Sequence, residues 1–243
     1  MIKSTNVRKH VELVIDSVTL AVFFLLFFIG GYAIVDTNIV DSGTQVDEEV
    51  LALAPQSEDS EFNFDELKSI NPDIIAWLRL DDTHLDYPVV QTDDNSTYLV
   101  RDYRGEYSTS GAIFIDSRNN KFLDDFTIVY GHRVDGTKMF GEIAKFEEKA
   151  FFDSRTTGTL YTEDSIYDLG VLAYAVVNIG TTGLYRLDTN RTNHNSDILQ
   201  EVWPGAKYRR DMPENSSQII MLSTCDRDSK NYRDVLLLSA TKR

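Results

Sequence analysis

Ile219-Ile220-Met221-Leu222-Ser223-Thr224-Cys225-Asp226-Arg227 is the stretch from which the fold is read. An apolar run of strand length ends abruptly on Cys225, and a charged loop follows. Cys225 is the only cysteine in 243 residues, so no intramolecular disulfide can form. A lone cysteine is most often a small buried hydrophobe. Position argues otherwise here, because a thiol where a strand meets a polar loop can be solvated as thiolate and meet a substrate. To act as a nucleophile it needs a base and a cation from elsewhere in the chain.

Outward from this run the chain is β-rich. Short strand-like segments at 85–91, 111–115, 126–130, 165–179 and 218–224 are split by turns, and 235–240 closes the chain. Few amphipathic helices intervene, so the spacing predicts a mostly β domain, a closed or nearly closed barrel rather than a βαβ sheet. Two helices are expected among the strands, over 139–149 and over 197–202, the latter stopped by Pro204. Before the barrel, Asn63 with Glu66 reads as a capping box, and Phe62 with Leu67 as a hydrophobic staple. Asn71-Pro72 reads as a second helix start. A pair of short helices is therefore expected over 62–77, with the barrel over 78–243.

The N-terminal part is different in kind. Residues 17–35 form an uncharged apolar run of membrane-spanning length. Lys3, Arg8 and Lys9 precede it, and Asp36, Asp41, Asp47, Glu48 and Glu49 follow. The charge asymmetry predicts a cytoplasmic tail over 1–16, an anchor over 17–35 and an extracellular domain. A cleaved leader is the competing reading; the length of the run and the want of a small-x-small site favour a retained anchor. The acidic stretch over 36–61 lacks a sustained apolar period and reads as a flexible linker. With 39 acidic against 24 basic residues and a formal charge of −15, nucleic acid is excluded as a natural partner of the domain.

The four histidines are then weighed as partners for Cys225. His10 falls in the tail, while His84 and His194 fall in polar turns where a solvated role is expected. His132 follows the strand at 126–130 through Gly131 and opens a polar loop, so it too stands where a strand gives way to a loop. One cysteine and four scattered histidines make no ligand-spaced metal cluster. Neither a Gly-x-Ser-x-Gly elbow nor a Gly-x-x-x-x-Gly-Lys phosphate loop is present.

Taken together, Tyr130-Gly131-His132, Gly136-Thr137-Lys138-Met139-Phe140-Gly141, Leu222-Ser223-Thr224-Cys225 and Arg233 resemble the sortases, membrane-anchored cysteine transpeptidases of Gram-positive bacteria. The class B pattern is matched more closely, by Asn71-Pro72-Asp73-Ile74-Ile75-Ala76-Trp77, Tyr87-Pro88-Val89-Val90-Gln91, Ser110-Gly111-Ala112-Ile113-Phe114-Ile115-Asp116 and Phe151-Phe152-Asp153. The resemblance covers about residue 62 to the C-terminus. It implies an eight-stranded barrel with N-terminal helices and a helix in the long connection before the cysteine's strand. It also implies that Cys225 cleaves a C-terminal sorting signal after Thr, forms a thioacyl-enzyme and passes the protein to an amine, with no cofactor. His132 would be the general acid and base, and Arg233 the oxyanion or backbone donor. Asn95, Leu99, Tyr130, Ser223 and Asp226 match contacts of class B members with the bound signal, which is of the Asn-Pro-x-Thr type or a pilin signal. The loop from Cys225 to Arg233 is somewhat short for the class, which leaves Arg227 as a rival to Arg233. The acceptor amine is either that of a peptidoglycan precursor or a pilin lysine. A simple hydrolase and a catalytically inert surface-binding module are the readings from further afield.

Overall fold

The computed structural model describes residues 12–32, 46–55, 64–134, 137–187, 195–216, 218–225 and 231–243. The chain divides into two compact units, Met1–Ser42 and Gly43–Arg243.

In the first unit, helix α1 (Glu12–Tyr32) is 21 residues long with a mean hydropathy of 2.5, long and apolar enough to cross a membrane. It begins earlier than the apolar run expected over 17–35. Leu13, Val14 and Ile15 extend the apolar surface toward the N-terminus, and the Ser17 hydroxyl donates back to the Leu13 carbonyl at 2.7 Å instead of facing solvent alone.

The second unit is built on nine strands among the described residues: β1 (Ile74–Leu80), β2 (Asp86–Val90), β3 (Ile113–Ile115), β4 (Phe126–Tyr130), β5 (Thr157–Thr162), β6 (Ile166–Asn178), β7 (Ala206–Arg209), β8 (Gln218–Cys225) and β9 (Tyr232–Lys242). They run in the order β5-β1-β2-β3-β4-β8-β9-β6-β7, and β5 also pairs with β6. That extra pairing closes eight strands into a barrel and leaves β7 as a flap on β6. Closure removes the open edges a flat sheet would present.

The apolar runs that suggested strands are buried on both faces. Ile220 and Leu222 of β8, with Leu236 and Leu238 of β9, join one core cluster around Trp77, Phe114 and Tyr174. The alternate residues Ile219, Met221, Val235 and Leu237 join a second cluster with Leu184 and with Ile198 and Val202 of helix α5 (Asn195–Val202). Period-two alternation between two cores is why this wall reads as continuous Val/Ile/Leu. Helix α5 falls where 197–202 is expected, in the connection between β6 and β7 that precedes the cysteine's strand.

Three expectations need correction. The second helix read at Asn71-Pro72 does not form; α3 (Phe64–Ile70) is followed directly by strand β1. Asn71 is buried, and its Oδ1 accepts from the Asp73 N–H at 3.0 Å. This closes an Asx turn, the same local chemistry as a helix cap but here leading into a strand. Its Nδ2 donates to Tyr98 Oη at 2.7 Å and to the Tyr103 carbonyl at 2.8 Å, and pairing of β1 with both β2 and β5 settles the matter. Asn63, the expected cap of the first helix, lies outside the described residues.

The second correction concerns the linker. Residues 46–55 are packed onto the domain around helix α2 (Glu48–Leu51). Val46, Val50 and Ala54, each four apart, are buried in the main core. Tyr103 Oη donates to Asp47 Oδ2 at 2.9 Å, Arg104 pairs with the same carboxylate, and Arg79 Nη1 donates to the Pro55 carbonyl at 2.8 Å. The remainder of the expected linker, like the tail over 1–11, lies outside the described residues.

The third concerns the helix expected over 139–149. It is a 3-10 helix, Gly141–Glu147, broken at the extended residue Glu148 before α4 (Lys149–Ser154). Ile143 and Phe146 are its buried apolar residues, and their i, i+3 spacing falls on one edge of a three-residue turn.

Candidate active site

The barrel ladder collects the candidates at one end. Strands β4 and β8 run parallel with Tyr130 opposite Ser223, and β8 and β9 run antiparallel with Cys225 opposite Arg233. Past the last pair of β4, the Gly131 N–H still donates to the Ser223 carbonyl at 3.2 Å, and His132 comes next. Gly131 is required there for lack of room, since a Cβ would lie 2.5 Å from the Phe140 ring. Phe140 in turn donates its N–H to the His132 carbonyl at 3.1 Å.

A cavity of about 220 Å³ opens at this end, lined by Asn95, Leu99, Tyr130, His132, Ser223 and Arg233 among others. Six of the eight candidates read from the sequence therefore line one cavity. Cys225 ends β8 directly across the ladder from Arg233, while Asp226, like the rival Arg227, lies outside the described residues. His132 is exposed, Arg233 is partly buried and donates from Nη1 to the Tyr232 carbonyl at 2.8 Å. Leu99 is 54% exposed, so it belongs to the rim of the cavity and not to the core.

The other histidines stand apart. His84 keeps an exposed ring, yet its Nδ1 lies 3.3 Å from Glu142 Oε2, and its N–H donates to the same oxygen at 2.7 Å. His10 and His194 lie outside the described residues. No group of three His, Cys, Asp or Glu side chains suited to a metal ion occurs among the described residues.

Several side chains of the site escaped the sequence reading. Tyr185, in the connection between β6 and α5, has its hydroxyl 2.7 Å from Ser223 Oγ although 38 residues separate them. Its ring stacks on Tyr130 at 6.4 Å with 12° between planes. Tyr130 donates to Asp116 Oδ2 at 2.9 Å, and Arg118 grips both Asp116 oxygens at 2.8 and 2.7 Å while donating to the Tyr185 carbonyl at 3.1 Å. Burial pushes the Asp116 carboxyl up, but the donors from Arg118 and Tyr130 outweigh it and hold the group down to about 2. Burial, followed by that carboxylate's charge, raises the Tyr130 phenol well above its ordinary value. Tyr130 thus stays a neutral donor locked in place. Thr224 also lines the cavity, and its Oγ1 is the buried side-chain atom without a hydrogen-bond partner among the described residues. Asp116 stands in a run matched to a family, and it offered no hint of this role; Tyr185 had no periodic or motif signal at all.

No family model matches the chain. Sortase B of Listeria monocytogenes serovar 1/2a is 35% identical over 171 residues, covering 69% of this chain and 68% of the relative. Sortase B of Staphylococcus aureus is 29% identical over 222 residues, covering 88% and 89%. The structure of the Staphylococcus aureus sortase B–substrate complex superposes with a TM-score of 0.66 over 74% of this chain and 84% of that one, at 29% identity. A Streptococcus pyogenes class B sortase involved in pilus biogenesis gives a TM-score of 0.64 at 28% identity, over 73% of this chain and 97% of its own.

Proposed function

The chain belongs to the class B sortases and is a sortase transpeptidase, and on that footing we propose how its residues carry the reaction. The single observation that supports the reading most is the register that pairs Cys225 with Arg233, which lines one cavity together with His132.

The Cys225 thiolate attacks the carbonyl carbon of a Thr-x bond in a sorting signal of a secreted protein. The carbonyl oxygen takes up the electron pair as an oxyanion, which Arg233 stabilises with its fixed N–H donors. Collapse expels the amine of the C-terminal tail, to which His132 gives its proton, and leaves a thioester. An incoming amine loses its proton to His132, attacks the thioester, and frees the thiolate. Asn95, Leu99, Tyr130, Ser223 and Asp226 bind the signal, of the Asn-Pro-x-Thr type.

The acceptor is an amine of the cell-wall peptidoglycan. A pilin lysine is the second reading, favoured by the likeness to a sortase involved in pilus biogenesis. The full chain in detergent, given an Asn-Pro-x-Thr peptide with either a glycine-terminated amine or a lysine side-chain amine, distinguishes them by mass spectrometry. Amide product with the glycine amine, absent in Cys225→Ala, is expected. Product with lysine alone transfers the reading to the pilus, free acid alone makes the protein a hydrolase, and no cleavage of any signal makes it a binding module.

Helix α1 is compatible with membrane anchoring. The flanking charges support a cytoplasmic N-terminus with the catalytic unit outside. Because Cys225 is the sole cysteine, a membrane-impermeant maleimide should label it on intact wall-stripped cells. Labelling that requires lysis would reverse the orientation.

A further inference from the structure

The residue after His132 and the residue after Arg233 are joined to one another. Arg133 Nη1 donates to Asp234 Oδ2 at 2.7 Å, and Tyr174 Oη donates to Asp234 Oδ1 at 2.5 Å. Asp234 is 2% exposed, and the two paired side chains are 15% and 3% exposed. This is a largely buried ion pair with a phenolic third partner, and Asp234 stands opposite Thr224 in the ladder. A buried pair of this kind seldom adds net stability over well-packed apolar residues of similar volume, whereas its geometry is demanding. Its presence calls for another account.

Topology supplies one. β4 and β9 are not neighbours, because β8 lies between them. Strands two apart are about 10 Å from each other, the span an arginine and an aspartate can cover together. The pair therefore bridges over β8 at the level where β8 ends on Cys225. On the β4 side, the last register pair with β8 is Tyr130 with Ser223, and His132 follows two residues later, its carbonyl held by the Phe140 N–H. Arg133 is the next residue and fastens this segment to β9. On the β9 side, Asp234 is paired with Thr224 of β8 and Val176 of β6, so it is an immobile anchor. The far side of the loop is fixed as well. Arg133 bridges to Met139, which takes φ +50° and donates its N–H to Tyr87 Oη at 3.0 Å.

We infer that Arg133, Asp234 and Tyr174 form a positioning latch that sets the distance between His132 and Arg233 on either side of Cys225. The inference rests on the reading of those three as the reacting groups. None of the latch residues touches the substrate in this account. They act through the backbone of their neighbours, on the scale where a displacement of about 1 Å costs on the order of a hundredfold in rate.

The test uses the full chain in detergent, with an internally quenched Asn-Pro-x-Thr peptide and iodoacetamide as probes. The triple variant Arg133→Met, Asp234→Leu, Tyr174→Phe removes the three described polar members together, so none of them leaves another as a buried charge or phenol without its latch partner. Its unfolding midpoint should stay within a few degrees of wild type, while kcat falls about tenfold or more and KM stays within about twofold. Arg133→Lys keeps the charge without the planar fork and should fall between the two. Iodoacetamide needs no peptide recognition. Its reaction with Cys225 at pH 7 should slow in the triple variant, as it should in Arg233→Ala, because a displaced cation no longer favours the thiolate. Loss of stability without a selective loss of kcat, or wild-type kcat and alkylation in either folded latch variant, would overturn the inference. Should the triple variant not fold, Arg133→Lys alone decides it by the same two readings. His132→Ala run alongside separates the two levels. If it is inactive while the latch variants are fully active, only the latch fails; if it is active, the assignment of the reacting groups fails.

Discussion

The cavity has a strand-built side and a loop-built side, and different forces hold them. On the strand side, Tyr130, Ser223 and Arg233 sit in continuous ladders above Ile220, Met221, Leu222 and Leu236, all almost fully buried. Moving any of them breaks backbone hydrogen bonds and core packing together. On the loop side, Asn95 and Leu99 lie on and just before the 3-10 turn Thr97–Leu99. That turn is tied by Asp94, which accepts from the N–H groups of Ser96 and Thr97 at 2.6 and 2.7 Å, and by Asn95 Oδ1, which accepts from the Ser117 N–H at 2.7 Å. Leu99 and Val100 are left 54% and 50% exposed, apolar surface with nothing over it. The contrast teaches a division of labour. Strand ends hold groups that must not move, and a tethered loop offers apolar surface to a ligand that arrives and leaves.

Kinetics can break that division. The largest effect is expected on the strand side, where Arg233→Ala should lower kcat by about a hundredfold or more, the cost of losing one preorganised oxyanion donor. Arg233→Lys should recover little, since a point charge does not reproduce the fork. Arg227→Ala should remain within a few-fold of wild type. Steady-state rates on folded variants, checked by circular dichroism, decide it, and a crippled Arg227→Ala would move the cation into the loop after Cys225. A smaller effect is expected on the loop side. Leu99→Ala removes exposed apolar surface that only a bound peptide covers, so KM for the quenched peptide should rise by roughly five- to thirtyfold, about 1–2 kcal/mol of lost burial. kcat should stay within about twofold. A fall in kcat comparable to that of Arg233→Ala would show that both sides act on the transition state and would erase the distinction.

Sequence and tertiary structure contributed unequally to these two sides. Strand 126–130 and the ends of β6 and β8 were legible to within a residue, because long apolar runs with turn residues on both flanks leave little choice. His132, Cys225 and Arg233 were legible as residues at strand ends, and matched motifs supplied the roles. β5 and β7 were not legible. β5 reads Thr-Gly-Thr-Leu-Tyr-Thr and is a strand because β1 and β6 flank it on both sides, while β7 alternates half-buried and exposed residues on a flap.

What the sequence by itself determined is the local chemistry: an apolar helix of membrane length, strands buried on two faces, and a single thiol at the end of one of them. What only the tertiary structure decided is where that local chemistry leads. Asn71-Pro72 carries a turn that serves a helix or a strand equally well, and pairing on both sides of 74–80 chose the strand. Val46, Val50 and Ala54 are too sparse to declare a helix alone, and a core able to receive them ordered 46–55. Tyr185 reaches Ser223, and Arg133 reaches Asp234 across 101 residues, through contacts that have no local period. Local preferences are set by near neighbours along the chain and survive in the sequence, whereas a contact between distant residues exists only once the barrel has closed and brought their strands side by side.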